Sequence, residues 1–312
     1  MRIPNRKKKI AAAAVLLLLL LAGGLVAWNI IADQRVTLYA ARFPRDSETG
    51  IMEGAAPRTL GPEAGDKAVL FVHGFVGTPN HFNDLPDQVA GAGWYVRVML
   101  LPGHGTSPRE FEQTSADQLQ QGVLDEVTAL RKQYKTLVLV GHSMGGALST
   151  LAASEVELEG LVLAAPYYRI TCAWYYPLLP ETFINTFSPL VRWIYRPTGM
   201  QPVNRPEARQ EILAYSWIPS AGGRTAITVS DRARAPQVLE KITQPTLLIH
   251  SLRDTVTDPK ASRAVFESLP AQDKRAVWLE TSDHIIFWDY EREQIANEVL
   301  EFLKKIDTPR LQ

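Results

Sequence analysis

The segment TLVLVGHSMGGALSTLA, residues 136–152, leaves the backbone little choice. Four of its first five residues are apolar and strand-prone, Gly-His-Ser-Met-Gly-Gly follows without a spacer, and a helix-compatible apolar run begins at once. A buried strand must stop at a sharp corner that carries Ser143, and the chain must leave that corner as a helix. Side chains two places before and after such a corner would collide, which explains Gly141 and Gly145. The following helix would aim its free N–H groups and dipole at the corner, where they favour negative charge. A glycine-rich turn without chemistry fits the same pattern, so residues elsewhere must choose.

Around this corner, short apolar runs at 68–72, 95–100, 136–140, 160–164, 246–250 and 275–279 alternate with amphipathic stretches at 81–92, 115–133, 145–155, 260–269 and 290–306. The short runs are rich in Val, Leu and Ile and lack polar alternation, as expected of parallel strands covered on both faces. The spacing predicts a doubly wound α/β sheet, with its core in residues 66–166 and 241–308. Residues 167–240 break the rhythm. They hold Trp174, Tyr175, Tyr176, Phe183, Phe187, Trp193, Tyr195 and Trp217 among many prolines, including Pro177, and are predicted as a mostly helical cap.

A serine hydroxyl needs a base, and the base needs an acid to orient it; in a sheet of this kind they follow in the order serine, acid, histidine. Asp254, just past the strand at 246–250, is the candidate acid, while Asp258 precedes a proline and suits helix capping. His284 lies in a loop thirty residues after Asp254 and is the candidate base. The other histidines are set aside by position: His73 and His81 precede the serine, His142 adjoins it, His104 sits in a turn, and His250 ends a strand before the acid. Asp283 reads as a surface or turn residue. Two N–H groups are needed for the oxyanion; the candidates are Met144, next to the serine, and Phe75, in the loop HGFVGTP that Gly74 opens.

These residues carry a resemblance. Residues 69–153 resemble the α/β-hydrolase superfamily, and His-Gly-Phe, Pro-Gly-His-Gly and Gly-His-Ser-Met-Gly-Gly are similar to its carboxylesterase and monoacylglycerol lipase group. The C-terminal SDHIIFWDYEREQIANEVLEFL is similar to the same group, so the likeness covers 67–166 and 244–305. It implies an α/β-hydrolase fold, the triad Ser143, Asp254 and His284, an acyl-enzyme, and neither cofactor nor metal. The substrates implied are small acyl esters of medium or long chain, such as monoacylglycerols or lysophospholipids. A thioesterase or acyltransferase would use the same triad, and a non-catalytic hydrolase-like binding protein is the remaining alternative. The cap has no residue-by-residue counterpart; its aromatics would line an acyl pocket or touch a bilayer.

The N-terminus adds a location. Residues 1–9, MRIPNRKKK, carry five positive charges, and residues 10–32 then run for 23 positions without a charge. That length favours a retained transmembrane anchor over a cleaved signal, although Ala22-Gly23-Gly24 and Leu25-Val26-Ala27 are imperfect cleavage sites. The basic flank should stay in the cytoplasm, so that the catalytic domain lies on the other side, periplasmic in a bacterium. Residues 33–65 read as a stalk and lead-in with an early strand at 36–39. Thirty-three basic and thirty-three acidic residues cancel, which argues against a nucleic-acid partner. The single cysteine, Cys172, excludes an internal disulfide and a Cys-rich metal site. Oligomeric state has no signature here.

Overall fold

The structure, a computed structural model, describes residues 6–173, 176 and 178–308. Trp174, Tyr175 and Pro177 of the cap expectation lie outside the described residues. The strands are β1 (Arg58–Leu60), β2 (Lys67–Val72), β3 (Tyr95–Val98), β4 (Thr136–His142), β5 (Gly160–Ala164), β6 (Trp193–Tyr195), β7 (Trp217–Pro219), β8 (Thr246–Ser251) and β9 (Lys274–Leu279). The helices are α1 (Arg6–Ala40), α2 (Leu85–Gly91), α3 (Pro108–Gln113), α4 (Ala116–Arg131), α5 (Met144–Ala153), α6 (Pro180–Phe187), α7 (Ser220–Ala233), α8 (Pro236–Leu239), α9 (Pro259–Ser268) and α10 (Arg292–Asp307).

Seven strands form one sheet in the order β1-β3-β2-β4-β5-β8-β9, parallel except for β1 at the edge. Alternation along the strands sorts side chains to two cores. Ala68, Leu70 and Val72 of β2 pack with Leu119 and Val123 of α4 and with Leu148 of α5. Val69 and Phe71 pack on the other face with Leu85 and Val89 of α2 and with Ile295 and Val299 of α10. Both faces are covered, hence the unbroken apolar runs. From β2 the chain winds outward to β3, then returns to place β4 on the other side of β2. The crevice beyond the C-terminal ends of β2 and β4 is thus a topological switch point, where ligands bind in such sheets.

Gly145 makes the tight packing there possible. A Cβ at this position would overlap the carbonyl of Val72 and press on that of His73, both fixed backbone. Gly145→Ala should therefore lower stability by about 3 kcal/mol, as overpacking in a rigid site does. An unfolding free energy from urea titration within a few tenths of a kcal/mol of wild type would contradict this packing.

The segment 167–240 differs from the mostly helical expectation. It contains α6, α7 and α8, but also β6 and β7, which pair antiparallel through Trp193↔Pro219, Ile194↔Ile218 and Tyr195↔Trp217. Stretches of three residues give no period to read. The strand expected at 36–39 is absent: those residues continue α1. Ala32, Val36 and Tyr39 recur at helical, not alternating, spacing, and they pack against Trp193 and Trp217.

α1 has two parts. Leu16–Leu21 are each 58–65% exposed, and the helix is long and apolar enough to cross a membrane, a property shared by N-terminal signal sequences. Its C-terminal part is bound to the cap. Trp28 Nε1 donates to the Trp193 carbonyl (3.2 Å), and Asn29 Nδ2 donates to that of Leu190 (2.8 Å). Asp33 accepts from Arg192 (2.8 Å), Arg109 (3.0 Å) and Trp193 Nε1 (3.2 Å). Residues 33–40 are thus packed helix rather than stalk.

Candidate active site

Ser143 sits between β4 and α5 with φ 54° and ψ −121°, a conformation that L residues rarely adopt. The corner is held from both sides: Ser143 N–H donates to the Ala164 carbonyl (3.0 Å), and the Ser143 carbonyl accepts from Tyr167 N–H (2.9 Å). Strain of this kind needs surroundings that leave no alternative. Gly74 supplies some of them, because a Cβ there would stand 2.8 Å from that of Ser143.

Asp254 follows β8, and His284 follows β9, so both reach the same sheet edge. His284 Nε2 lies 2.9 Å from Ser143 Oγ, and His284 Nδ1 lies 2.8 Å from Asp254 Oδ2. The structure therefore brings together the three residues that chain order singles out. Asp254 is saturated with donors. Oδ1 accepts from Val256 N–H (2.8 Å) and Thr257 N–H (2.7 Å), and Oδ2 also accepts from Thr257 Oγ1 (2.8 Å). Burial alone would push this carboxyl up; the His284 and His250 rings and their hydrogen bonds outweigh it and hold it far below the usual carboxylate range.

Of the two oxyanion candidates, Met144 is the first residue of α5, so its N–H has no partner inside the helix. Phe75 lines the cleft beside Ser143, and its N–H donates to no acceptor among the described residues. His73 fixes this loop: Nδ1–H donates to the Gly74 carbonyl (3.0 Å) while Nε2 accepts from Leu101 N–H (3.0 Å). His104 Nδ1–H donates to the Pro102 carbonyl (2.9 Å), and burial pushes its imidazole down to about 4. Asp258 caps α9 by accepting from Lys260 N–H (2.9 Å).

Three residues that position had set aside take part in this arrangement. His250 Nε2 donates to Asp254 Oδ2 (3.1 Å), so two imidazoles share one carboxylate oxygen. His142 Nε2–H donates to the His284 carbonyl (3.0 Å), with burial pushing its imidazole down to about 3. Asp283, expected on the surface, is 7% exposed and accepts from Thr255 N–H (2.8 Å) and Thr255 Oγ1 (2.9 Å). It joins the acid loop to the histidine loop, and burial raises its carboxyl. Asp283 adjoins His284, and His250 lies four residues before Asp254; that proximity to a candidate was the one hint in the sequence, since a loop held to ångström precision needs polar neighbours. Asp289 had no such signal. Its carboxylate accepts from Asp283 N–H (2.8 Å) and from Asn204 N–H of the cap (2.8 Å).

The cap closes over this edge. Pro202 accepts from the N–H groups of His284 (3.1 Å) and Ile285 (3.0 Å). The cleft beside Ser143, with Phe75, His81, Arg196, Val256 and His284 in its walls, encloses ≈ 50 Å³. That is well below the roughly 300 Å³ at which ligand sites begin. A second, apolar groove of ≈ 360 Å³ runs past Ile170, Leu178, Phe183, Ile184 and Thr255. Thr255 lines the groove, and its sequence neighbour Val256 lines the cleft.

Comparison with known proteins agrees with this architecture. A sequence profile of the serine aminopeptidase S33 family matches residues 63–291. The chain is 28% identical over 256 residues to a thermostable monoacylglycerol lipase of Bacillus sp. (strain H-257), covering 82% of this chain and 96% of that one. It is 24% identical to a carboxylesterase of Bacillus subtilis (strain 168), covering 82% and 100%. Among solved structures, one reported with the metagenome-derived lipolytic enzymes LipS and LipT aligns with a TM-score of 0.73 at 25% identity, covering 82% and 99%. With its strained Ser143 corner and its mostly parallel sheet, the chain belongs to the serine aminopeptidase S33 family and has the α/β-hydrolase fold.

Proposed function

We propose that this serine carboxylic-ester hydrolase is held at a membrane by α1 and cleaves esters of medium or long acyl chains, of the monoacylglycerol or lysophospholipid type. The observation that carries the reading is the continuous chain Ser143 Oγ–His284–Asp254, with contacts of 2.9 and 2.8 Å. Ser143 Oγ attacks the ester carbonyl while His284 Nε2 takes its proton. Asp254 holds the Nδ1–H and stabilises the imidazolium. The N–H groups of Phe75 and Met144 receive the oxyanion. The tetrahedral intermediate collapses as His284 returns the proton to the departing alcohol. Water, deprotonated by the same imidazole, then releases the acid and regenerates Ser143.

The acyl-chain preference rests on the apolar groove beside Val256. Bilayer contact of the cap rests on its exposed apolar residues Leu178, Leu179, Phe183, Phe187, Leu190 and Ile194, on the element to which α1 is bound. An aminopeptidase would need a carboxylate for the substrate ammonium. Asp254 and Asp283 are already engaged by His284 and Thr255, which favours esters.

Hydrolysis of p-nitrophenyl esters of increasing chain length, beside monoacylglycerol and lysophospholipid, tests the substrate class. The rate should rise from acetate to at least octanoate; a preference confined to acetate would remove the acyl role of the groove. After an alkaline wash the protein should remain in the membrane fraction, and its release would mean that α1 is a cleaved signal.

A further inference from the structure

One wall of the cleft carries a charge that no described carboxylate neutralises. Arg196 follows β6, and its backbone is fixed because its N–H donates to the Ser216 carbonyl (2.7 Å). Ser216 N–H in turn donates to Tyr39 Oη of α1 (2.9 Å). The guanidinium itself has no hydrogen bond and no carboxylate within 4.0 Å among the described residues, and its Nε is buried without a partner. Arg97 and Arg131, also part-buried, are paired with Glu126 (2.7 Å) and Glu159 (2.7 Å). Burial lowers the Arg196 pKa without discharging it, because guanidinium stays protonated in proteins. Arg196 is part-buried, with its Nε out of water and unpartnered, so the side chain has lost hydration that an anionic group entering the cleft can replace.

The surroundings narrow what that is. Arg196 shares its cleft with Ser143 and His284, and His81 in the same wall has both ring nitrogens buried and unpartnered. Burial keeps His81 neutral, so it can donate one further hydrogen bond. Gln201, one residue before Pro202 of the cleft wall, also has both side-chain polar atoms buried and unsatisfied. Val256 of this cleft is preceded in the chain by Thr255, which lines the apolar groove. We propose that Arg196 determines specificity, gripping a phosphate or carboxylate carried by the ester substrate while Ser143 faces the ester carbonyl. The planar guanidinium fork matches both groups bidentately. The proposal rests on the hydrolase reading above and adds charge to its substrate.

The test uses the full chain in detergent, with wild type, Arg196→Gln and Arg196→Lys, on two matched pairs. The first pair is 1-lauroylglycerol and its 3-phosphate; the second is p-nitrophenyl hexanoate and the mono-p-nitrophenyl ester of adipic acid. In at least one pair, Arg196→Gln should lower kcat/KM for the anionic member at least tenfold more than for the neutral one. The loss should appear mainly in KM, and Arg196→Lys should recover part of it. Response in the first pair assigns a phosphate on the alcohol, and response in the second a carboxylate on the acyl chain. Equal losses on both members of each pair, or no loss on any, overturn the proposal and leave the hydrolase intact. If wild type cleaves none of the four esters, the hydrolase reading falls as well.

Discussion

Ser143→Ala should lower kcat for a p-nitrophenyl ester by roughly a million-fold, as removal of a serine nucleophile does in triad enzymes. Labelling by a fluorophosphonate probe should vanish with it. The fold should be untouched. Ser143 Oγ meets His284 Nε2 and no other described partner, and the corner is held through backbone bonds to Ala164 and Tyr167 that alanine keeps. The strain at φ 54° belongs to any residue with a Cβ, so alanine neither adds nor relieves it. A thermal midpoint within a degree or two of wild type, combined with complete loss of labelling, is the expected pair of results. Equal labelling of wild type and variant would remove Ser143 from the chemistry.

Asp254→Asn should cost about ten-thousand-fold in kcat, because an amide beside Nδ1 leaves the imidazole in the wrong tautomer. The geometry here adds a cost in stability. Three donors converge on Oδ2, from His284, His250 and Thr257, and two backbone N–H groups point at Oδ1. An asparagine has one oxygen to offer, so either orientation of its amide sets an NH2 group against donors. One buried donor left unsatisfied costs about 1–3 kcal/mol. Asp254→Asn should accordingly lose both activity and several degrees of thermal midpoint, unlike Ser143→Ala. A loss in kcat below tenfold would shift the role of acid to Asp283, the other buried carboxylate next to His284.

The sheet was legible because its strands are buried on both faces. β2, β4, β5, β8 and β9 follow the apolar runs to within two residues at either end, and α4, α5, α9 and α10 follow the amphipathic ones. The corner at Ser143 was legible because sterics demand its glycines. What could not be read depends on contacts made at a distance. The strand expected at 36–39 had the right residues for one, but Trp193 and Trp217 of the cap select helical spacing by packing on Val36. Tertiary burial overrides local propensity there. His250 was set aside as the end of a strand, and Asp283 as a turn. Neither position shows in sequence that one acid loop must be braced from two sides, by an imidazole and through Thr255. Nothing in the sequence marks Arg196, because its lack of an acidic partner among the described residues follows from how the cap folds over the cleft.

α1 does not end where its apolar run ends. The same helix continues through Trp28, Asn29 and Asp33, which grip the cap, to Tyr39, which touches Ser216 beside Arg196. A stalk of loose chain would let the hydrolase turn freely; an unbroken helix fixes its rotational phase. Each residue inserted between the exposed apolar part and the cap-facing part would turn the cleft by about 100° around the helix axis and shift it by about 1.5 Å relative to the apolar part. If α1 is held in a bilayer as proposed, the orientation in which substrate leaving it meets Ser143 is set by the spacing along α1 between its exposed apolar run and Trp28. A helix that tethered the proposed hydrolase would then also point it.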